Sequence, residues 1–207
     1  MFIPVDTAGL KKGALTMTSQ TKREEIIQAA MALIADQGFH GAPMSMIAQK
    51  AGVGVGTIYR YFENRDILIK AVYQEIEERL VAFLSREYPY GQPVRDCFFH
   101  IAGGLITYFI KNPMEFRYSE QFHYSPFGDA RCRDRIFKAA GHPDIFMELY
   151  ERGLNQQVIK NLPPTVFFNL AFAPIAWSLR DHILKMTLID DVLAQVLAAS
   201  CWDSIKK

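Results

Sequence analysis

The sequence predicts an all-α fold, a compact three-helix head joined by a connecting helix to a larger helical body. Three observations carry that reading. Apolar residues recur at three- and four-residue spacing, no stretch sustains the period-two alternation of a strand, and glycines and prolines fall where the helical runs end. Half of the 207 residues are hydrophobic, enough to bury a sizeable core.

The first helix is expected to open at Thr21, which with Glu24 has the spacing of a capping box. Ile26, Ala30, Leu33 and Ile34 follow at helical spacing, and Gly38 supplies the stop. Residues 1–18 read as a flexible extension that holds Pro4, Asp6, Gly9 and Gly13 and lacks the apolar core of a signal peptide. A short second helix spans 45–51 and ends at Gly52. A third runs over 55–62 and buries Ile58 and Phe62, which are four apart. Asn64 caps a fourth, which reaches about residue 84 with Ile67, Leu68, Ala71, Val72, Ile76 and Leu80 on its apolar side.

Beyond Pro89, helices are expected over 93–111, 114–123, 128–140, 143–160, 164–186 and 190–205. Pro113, Ser125, Pro126, Gly141, Pro143, Pro163, Pro164 and Asp190 mark the breaks. The domains follow: a helix-turn-helix head over 19–65 and a body over 66–207, with the connecting helix reaching from one into the other.

Bulk charge argues for no particular partner, since the formal net charge is +1. Cys97, Cys132 and Cys201 are odd in number and widely spaced, which favours reduced thiols in a cytoplasmic protein over a disulfide framework. The most apolar stretches are interrupted by His100, Asn169 and Pro174 and fall short of the roughly 20 residues of a membrane span. His40, His100, His123, His142 and His182 are scattered, with no metal-ligand spacing, Ser-His-Asp order or paired carboxylates. Neither an enzyme nor a cofactor is expected.

The stretch GVGVGTIYRYF, residues 52–62, is the most informative. It fails as a dinucleotide loop because Thr57 stands where the third glycine belongs and a helical segment precedes it; it also lacks the lysine ending of a Walker loop. As a helix-turn-helix it fits. Gly52 suits a left-handed turn, Ala48 is small enough for close approach, and Val53, Ile58 and Phe62 fill the space between the helices. The other face of the third helix then presents Val55, Thr57, Tyr59, Arg60 and Tyr61. Hydroxyl and guanidinium groups reach phosphates and base edges, and apolar atoms touch thymine methyls. The bland alternative is that Tyr59 and Tyr61 pack on neighbouring helices.

The segment from Thr21 to about Leu80, with IIQAAMALIADQGF and MSMIAQKAGVGVGTIYRYFENRDIL, resembles the DNA-binding head of the tetracycline-repressor (TetR) family of transcriptional regulators. Carried over position by position, the resemblance implies phosphate contacts from Ser45 and Arg65. It implies reading or backbone contacts from Thr57, Tyr59, Arg60 and Tyr61, and close approach to DNA at Gly56. Gly54 stands where the family often has a serine cap, with Val55 next, which removes a side-chain ligand.

The resemblance further implies a homodimer on a palindromic operator in double-stranded DNA, assembled through the last two helices. There Phe167, Phe168, Leu170, Ile175, Leu193, Val196, Leu197 and Trp202 stand among small alanines. It implies repression relieved by an effector bound in the body. The aromatic-rich middle helices, with interspersed polar groups, suggest a small hydrophobic or aromatic effector, and Phe99, Tyr108, Phe122, His123, Phe146 and Trp177 are the candidate pocket residues. The alternative is a helical interaction module with the same head and little DNA affinity.

From Met17 to Arg65 the head carries Lys22, Arg23, Lys50, Arg60 and Arg65 against Glu24, Glu25, Asp36 and Glu63. So near-neutral a head neutralises few phosphates. The logarithm of its DNA affinity is therefore expected to fall with the logarithm of salt less steeply than for a strongly basic regulator. Titrations between low and physiological salt measure the slope, and one as steep as a strongly basic regulator's contradicts the expectation.

Overall fold

A computed structural model describes residues 8–128 and 144–207, with side chains from residue 21 onward. Among the described residues nine helices form: α1 Ala8–Gly41, α2 Met44–Lys50, α3 Val55–Tyr61, α4 Arg65–Ser85, α5 Val94–Lys111, α6 Pro113–His123, α7 Ile145–Asn155, α8 Pro164–Ile183 and α9 Asp191–Ile205. The expected helix over 128–140 lies almost entirely outside the described residues.

The start of α1 differs from the expectation. Residues 8–18, assigned to a flexible extension, belong to the helix, so Thr21 lies within α1 rather than at its N-cap. Leu10, Lys11, Lys12, Ala14 and Leu15 are good helix formers, and a capping-box spacing does not open a helix where the preceding residues already favour one. The stop is where the sequence puts it: Gly38 leaves helical geometry at φ 75°, ψ 173°. Helix α7 also ends earlier than 160. Gln157 adopts φ 57°, and Ile159 then pairs antiparallel with Lys206, with Lys160 N–H donating to the Ile205 carbonyl at 2.8 Å.

The chain divides into two compact units, Met1–Tyr73 and Gln74–Lys207, and the division falls inside α4. In the first unit α1 packs on α2 and α3, and α2 on α3. The largest fully buried side chains there are Ile26, Ile27, Ile34, Ile47, Ile58, Leu68 and Ile69, with Phe62 only 2 % exposed. Each such burial contributes roughly 1.5–3 kcal/mol, so α1 holds α2 and α3 in place although neither of those two is long enough to be stable alone.

In the second unit α5 is central, packing against α6, α7, α8 and α9. Its Cys97, Phe98, Ile101 and Ala102 are fully buried. Phe98 stacks on Phe172 with ring centres 5.6 Å apart and touches Trp202 at 5.4 Å, while Phe146 meets Phe172 edge-on. A Cβ on Gly104 would come within 2.5 Å of Leu84 Cδ2, so this glycine sets how closely α5 meets the end of α4. Prolines stand in the first turns of α6 and α8, where no N–H is needed. Asp144 and Asp190 cap α7 and α9 by accepting from Met147 N–H and Leu193 N–H.

Candidate functional site

The turn between α2 and α3 is a Schellman closure. Gly52 sits at φ 65°, its N–H donates to the Gln49 carbonyl at 3.2 Å, and Val53 N–H donates to the Ala48 carbonyl at 3.0 Å. This consumes the last carbonyls of α2 and sends the chain into α3 at a fixed angle. Ile58, fully buried, and Phe62, nearly so, then fix the rotation of α3, and the Arg23 guanidinium lies over the Phe62 ring at 5.4 Å.

With α3 so turned, its outward residues are Val55 at 38 % exposure, Tyr59 at 50 %, Gly56 and Arg60. Thr57 and Tyr61 are half-buried at the edges, with Thr57 N–H donating to the Gly54 carbonyl. Gly54 is the N-cap and offers no side chain. On α2, Ser45, Met46, Gln49 and Lys50 are exposed, of which the sequence did not single out Met46 and Gln49. The half-exposed Tyr59 is not a packing residue.

Arg65 is placed differently from the other candidates. Its Nη2 donates to the Phe39 carbonyl just past Gly38, and its Nε is buried without a partner. The guanidinium thus ties the start of α4 to the end of α1. Asn64 Oδ1 accepts from Ile67 N–H at 3.0 Å and completes that corner.

In the second unit the six pocket candidates differ in burial. Tyr108, Phe122 and Phe146 are buried, Phe99 is half-buried beneath the Arg95 guanidinium, and His123 is exposed. Trp177 is 57 % exposed on α8 with Arg180 over its ring, so it faces outward rather than lining the interior. On the last two helices Phe167, Ile175 and Trp202 turn into the unit's own core, while Val166, Leu170, Trp177, Val192 and Val196 stand exposed. The sequence reading grouped Phe167, Ile175 and Trp202 with Leu170 and Val196, because these helices are apolar on more than one side.

Two polar clusters escaped the sequence reading, since their members are far apart along the chain. Glu115 on α6 accepts from Tyr108 Oη at 2.5 Å and from Arg79 Nε at 3.0 Å, joining α4, α5 and α6. Tyr88 Oη donates to Glu148 at 2.6 Å, and Glu148 also pairs with Arg152. Arg152 Nη2 donates to Cys97 Sγ at 2.7 Å, and that thiol donates to the Pro89 carbonyl. A third link, Arg180 to Glu120 at 3.0 Å, joins α8 to α6; burial pushes the Glu120 carboxyl up, and Arg180 opposes the shift. Among the described residues no group of His, Cys, Asp and Glu is placed to hold a metal, and no helix is long and apolar enough to cross a membrane.

Comparison with known proteins matches residues 26–72 to "Bacterial regulatory proteins, tetR family" and residues 93–206 to "Tetracyclin repressor-like, C-terminal domain". A TetR family transcription regulator from Marinobacter aquaeolei VT8 has the same fold, with a TM-score of 0.84 at 20 % identity over 93 % of this chain and 99 % of that one. The regulator FadR of Bacillus subtilis, solved in complex with stearoyl-CoA, aligns with a TM-score of 0.68 at 17 % identity over 86 % of this chain and 98 % of its own. In sequence, the fatty acid metabolism regulator protein of B. subtilis (strain 168) is 43 % identical over 54 residues. That match spans 26 % of this chain and only 28 % of the relative.

The two clustered tyrosines give the second unit a pH signature. Burial first, and then the carboxylate each donates to, hold the Tyr88 and Tyr108 phenols well above the tyrosine range. An unfolded tyrosine loses its proton near pH 10, so above that pH the folded state binds more protons than the unfolded one. By linkage their contribution is complete below about pH 10 and is lost as pH rises. Urea denaturation from about pH 9 to about pH 11 is expected to show falling stability in the wild type and a shallower fall in a Tyr88→Phe, Tyr108→Phe double variant. Equal slopes contradict this.

Proposed function

The chain belongs to the tetR family of bacterial regulatory proteins, and on that premise we propose that it is a homodimeric repressor released from a palindromic operator by a small, largely apolar effector. The observation that carries the reading is the rotation of α3. Ile58 and the capping Phe62 are spent inside the head, which leaves a valine, a tyrosine, an arginine and a bare glycine on the outward face. A solvated helix face is ordinarily rich in charge, whereas an aromatic hydroxyl, a guanidinium and apolar methyls suit a groove. Ser45 and Lys50 on α2 suit flanking phosphates, and Arg65 acts as a brace that holds α4 against the end of α1.

One head contacts one half-site, and two-fold symmetry doubles it. The exposed apolar residues of α8 and α9 support that partner. Val166, Leu170 and Trp177 follow one helical face, and Val192 and Val196 repeat on the next helix. A stripe of this kind on two adjacent helices is large for a monomer's surface. The effector site rests on the buried aromatic residues Tyr108, Phe122 and Phe146 with half-buried Phe99. FadR of B. subtilis was solved with stearoyl-CoA, a ligand with a long apolar chain, which fits an apolar effector here. Helix α4 is the route of coupling in this reading. Its second half is fastened to α5 and α6 through Arg79, Glu115 and Tyr108, and an effector that favours one arrangement of those helices shifts the operator equilibrium by its affinity difference between the two states.

The test is binding of the purified protein to the DNA flanking its own gene. Sequence-specific binding is expected, with Tyr59→Ala and Arg60→Ala each losing about tenfold or more while melting like the wild type. Leu170→Asp, placed on the exposed stripe, is expected to sediment as a monomer and to lose operator binding with its head intact. Absence of specific binding at low salt supports instead a helical interaction module. A Leu170→Asp variant that stays dimeric removes α8 from the interface.

A further inference from the structure

Of the three glycines at positions 52, 54 and 56, only the first has an internal reason to be glycine. Gly52 needs its positive φ for the turn. Gly54 lies at φ −73°, ψ 148°, which any residue adopts, and a Cβ there would meet only Thr57 Oγ1 at 4.0 Å. Gly56 lies inside α3, where glycine is a poorer helix former than alanine, and a Cβ there would meet nothing described within 4 Å. Gly104 and Gly153 are different: an added Cβ would strike Leu84 at the first and Ile159 at the second. Glycine 56 therefore weakens the head for no packing gain, and the room left at 54 and 56 is on its outer side.

Val55 stands between them as the first residue of α3. It is 38 % exposed, has no neighbouring side chain at 54 or 56, and shares its face with Tyr59 one turn later. Its two methyl groups neither donate nor accept a hydrogen bond, so it can recognise only an apolar feature. In the DNA major groove the base edges present one such feature, the C5-methyl group of thymine. Arg60 and Lys50, both exposed nearby in the sequence, complement a polyanion rather than an apolar protein surface.

We propose that Val55 is a specificity-determining residue that reads a thymine methyl group in each operator half-site, with Gly54 and Gly56 clearing the backbone for its approach. This rests on the DNA-reading function above and assigns it a particular base feature. Apolar contact at this residue also accounts for how a near-neutral head gains selectivity with few charged side chains.

The experiment selects the preferred duplex from a random library and then replaces each thymine in turn by deoxyuridine, in both half-sites at once. Deoxyuridine lacks only the methyl group. At one thymine position the affinity is expected to fall about fourfold per half-site and about fifteenfold for the symmetric pair. With C·G at that position, 5-methylcytosine is expected to bind better than cytosine by a similar factor. Val55→Ala, at an exposed helical position where alanine is well tolerated, is expected to bind thymine and deoxyuridine duplexes equally. The proposal is overturned if every replacement leaves the affinity within twofold, or if the discrimination persists in Val55→Ala. Selection that yields no preferred sequence instead removes the DNA-reading premise, and the Val55 assignment with it.

Discussion

The burial of Ile58 and Phe62 decides what the first unit can do. Ile58 lies in the seven-residue α3 and Phe62 is its C-cap, and once both are inside the rotation of α3 is no longer free. Val55, Tyr59 and Arg60 are outward because Ile58 and Phe62 are inward. The Schellman turn at Gly52 sets where α3 begins, and the corner built by Asn64, Arg65 and the Phe39 carbonyl sets where the next helix leaves. A recognition surface on so short a helix depends on these three constraints together, because no helix of that length holds its own geometry in water.

The second unit is organised by a different kind of constraint. Its core is aromatic, with Phe98, Phe172, Phe146 and Trp202 in ring contact around α5. Rings alone fill volume without fixing register. The register is supplied by buried and part-buried hydrogen bonds between elements: Glu115 of α6 with Tyr108 of α5 and Arg79 of α4, and Glu148 of α7 with Tyr88 in the segment after α4. Removing one member leaves a buried charge or acceptor unpaired, which costs more than the bond itself contributes. That asymmetry is what makes such a cluster suited to switching between discrete arrangements rather than deforming gradually. The Cys97 thiol is engaged on both sides, by Arg152 and by the Pro89 carbonyl, and serves this framework.

What the sequence disclosed follows from the range of the interactions involved. The glycine turn, the Ile58–Phe62 pair and the caps at Asn64 and Asp190 are local, so spacing and residue type reveal them. The outward face of α3 followed from those. By contrast, α8 and α9 are apolar around much of their circumference, and periodicity cannot say which side meets the chain's own core. Phe167 and Trp202 proved interior and Trp177 exterior for that reason. The polar clusters were invisible because Tyr88 and Glu148, or Arg79 and Glu115, are brought together only by the fold. Thr21 shows the opposite hazard: a local signal that the helix overrides, since residues before it are themselves helical.

In the DNA-reading proposal the first unit gives up helix stability at α3 to let another surface come close. Glycine 56 isolates that trade, because alanine there meets nothing among the described residues and is the better helix former. The direct measurement compares Gly56→Ala with the wild type for thermal unfolding and for affinity to the DNA flanking the protein's own gene. Opposite signs are expected: stability raised by up to about 1 kcal/mol, and DNA affinity lowered severalfold. A variant that is more stable and binds DNA as well as the wild type would contradict it.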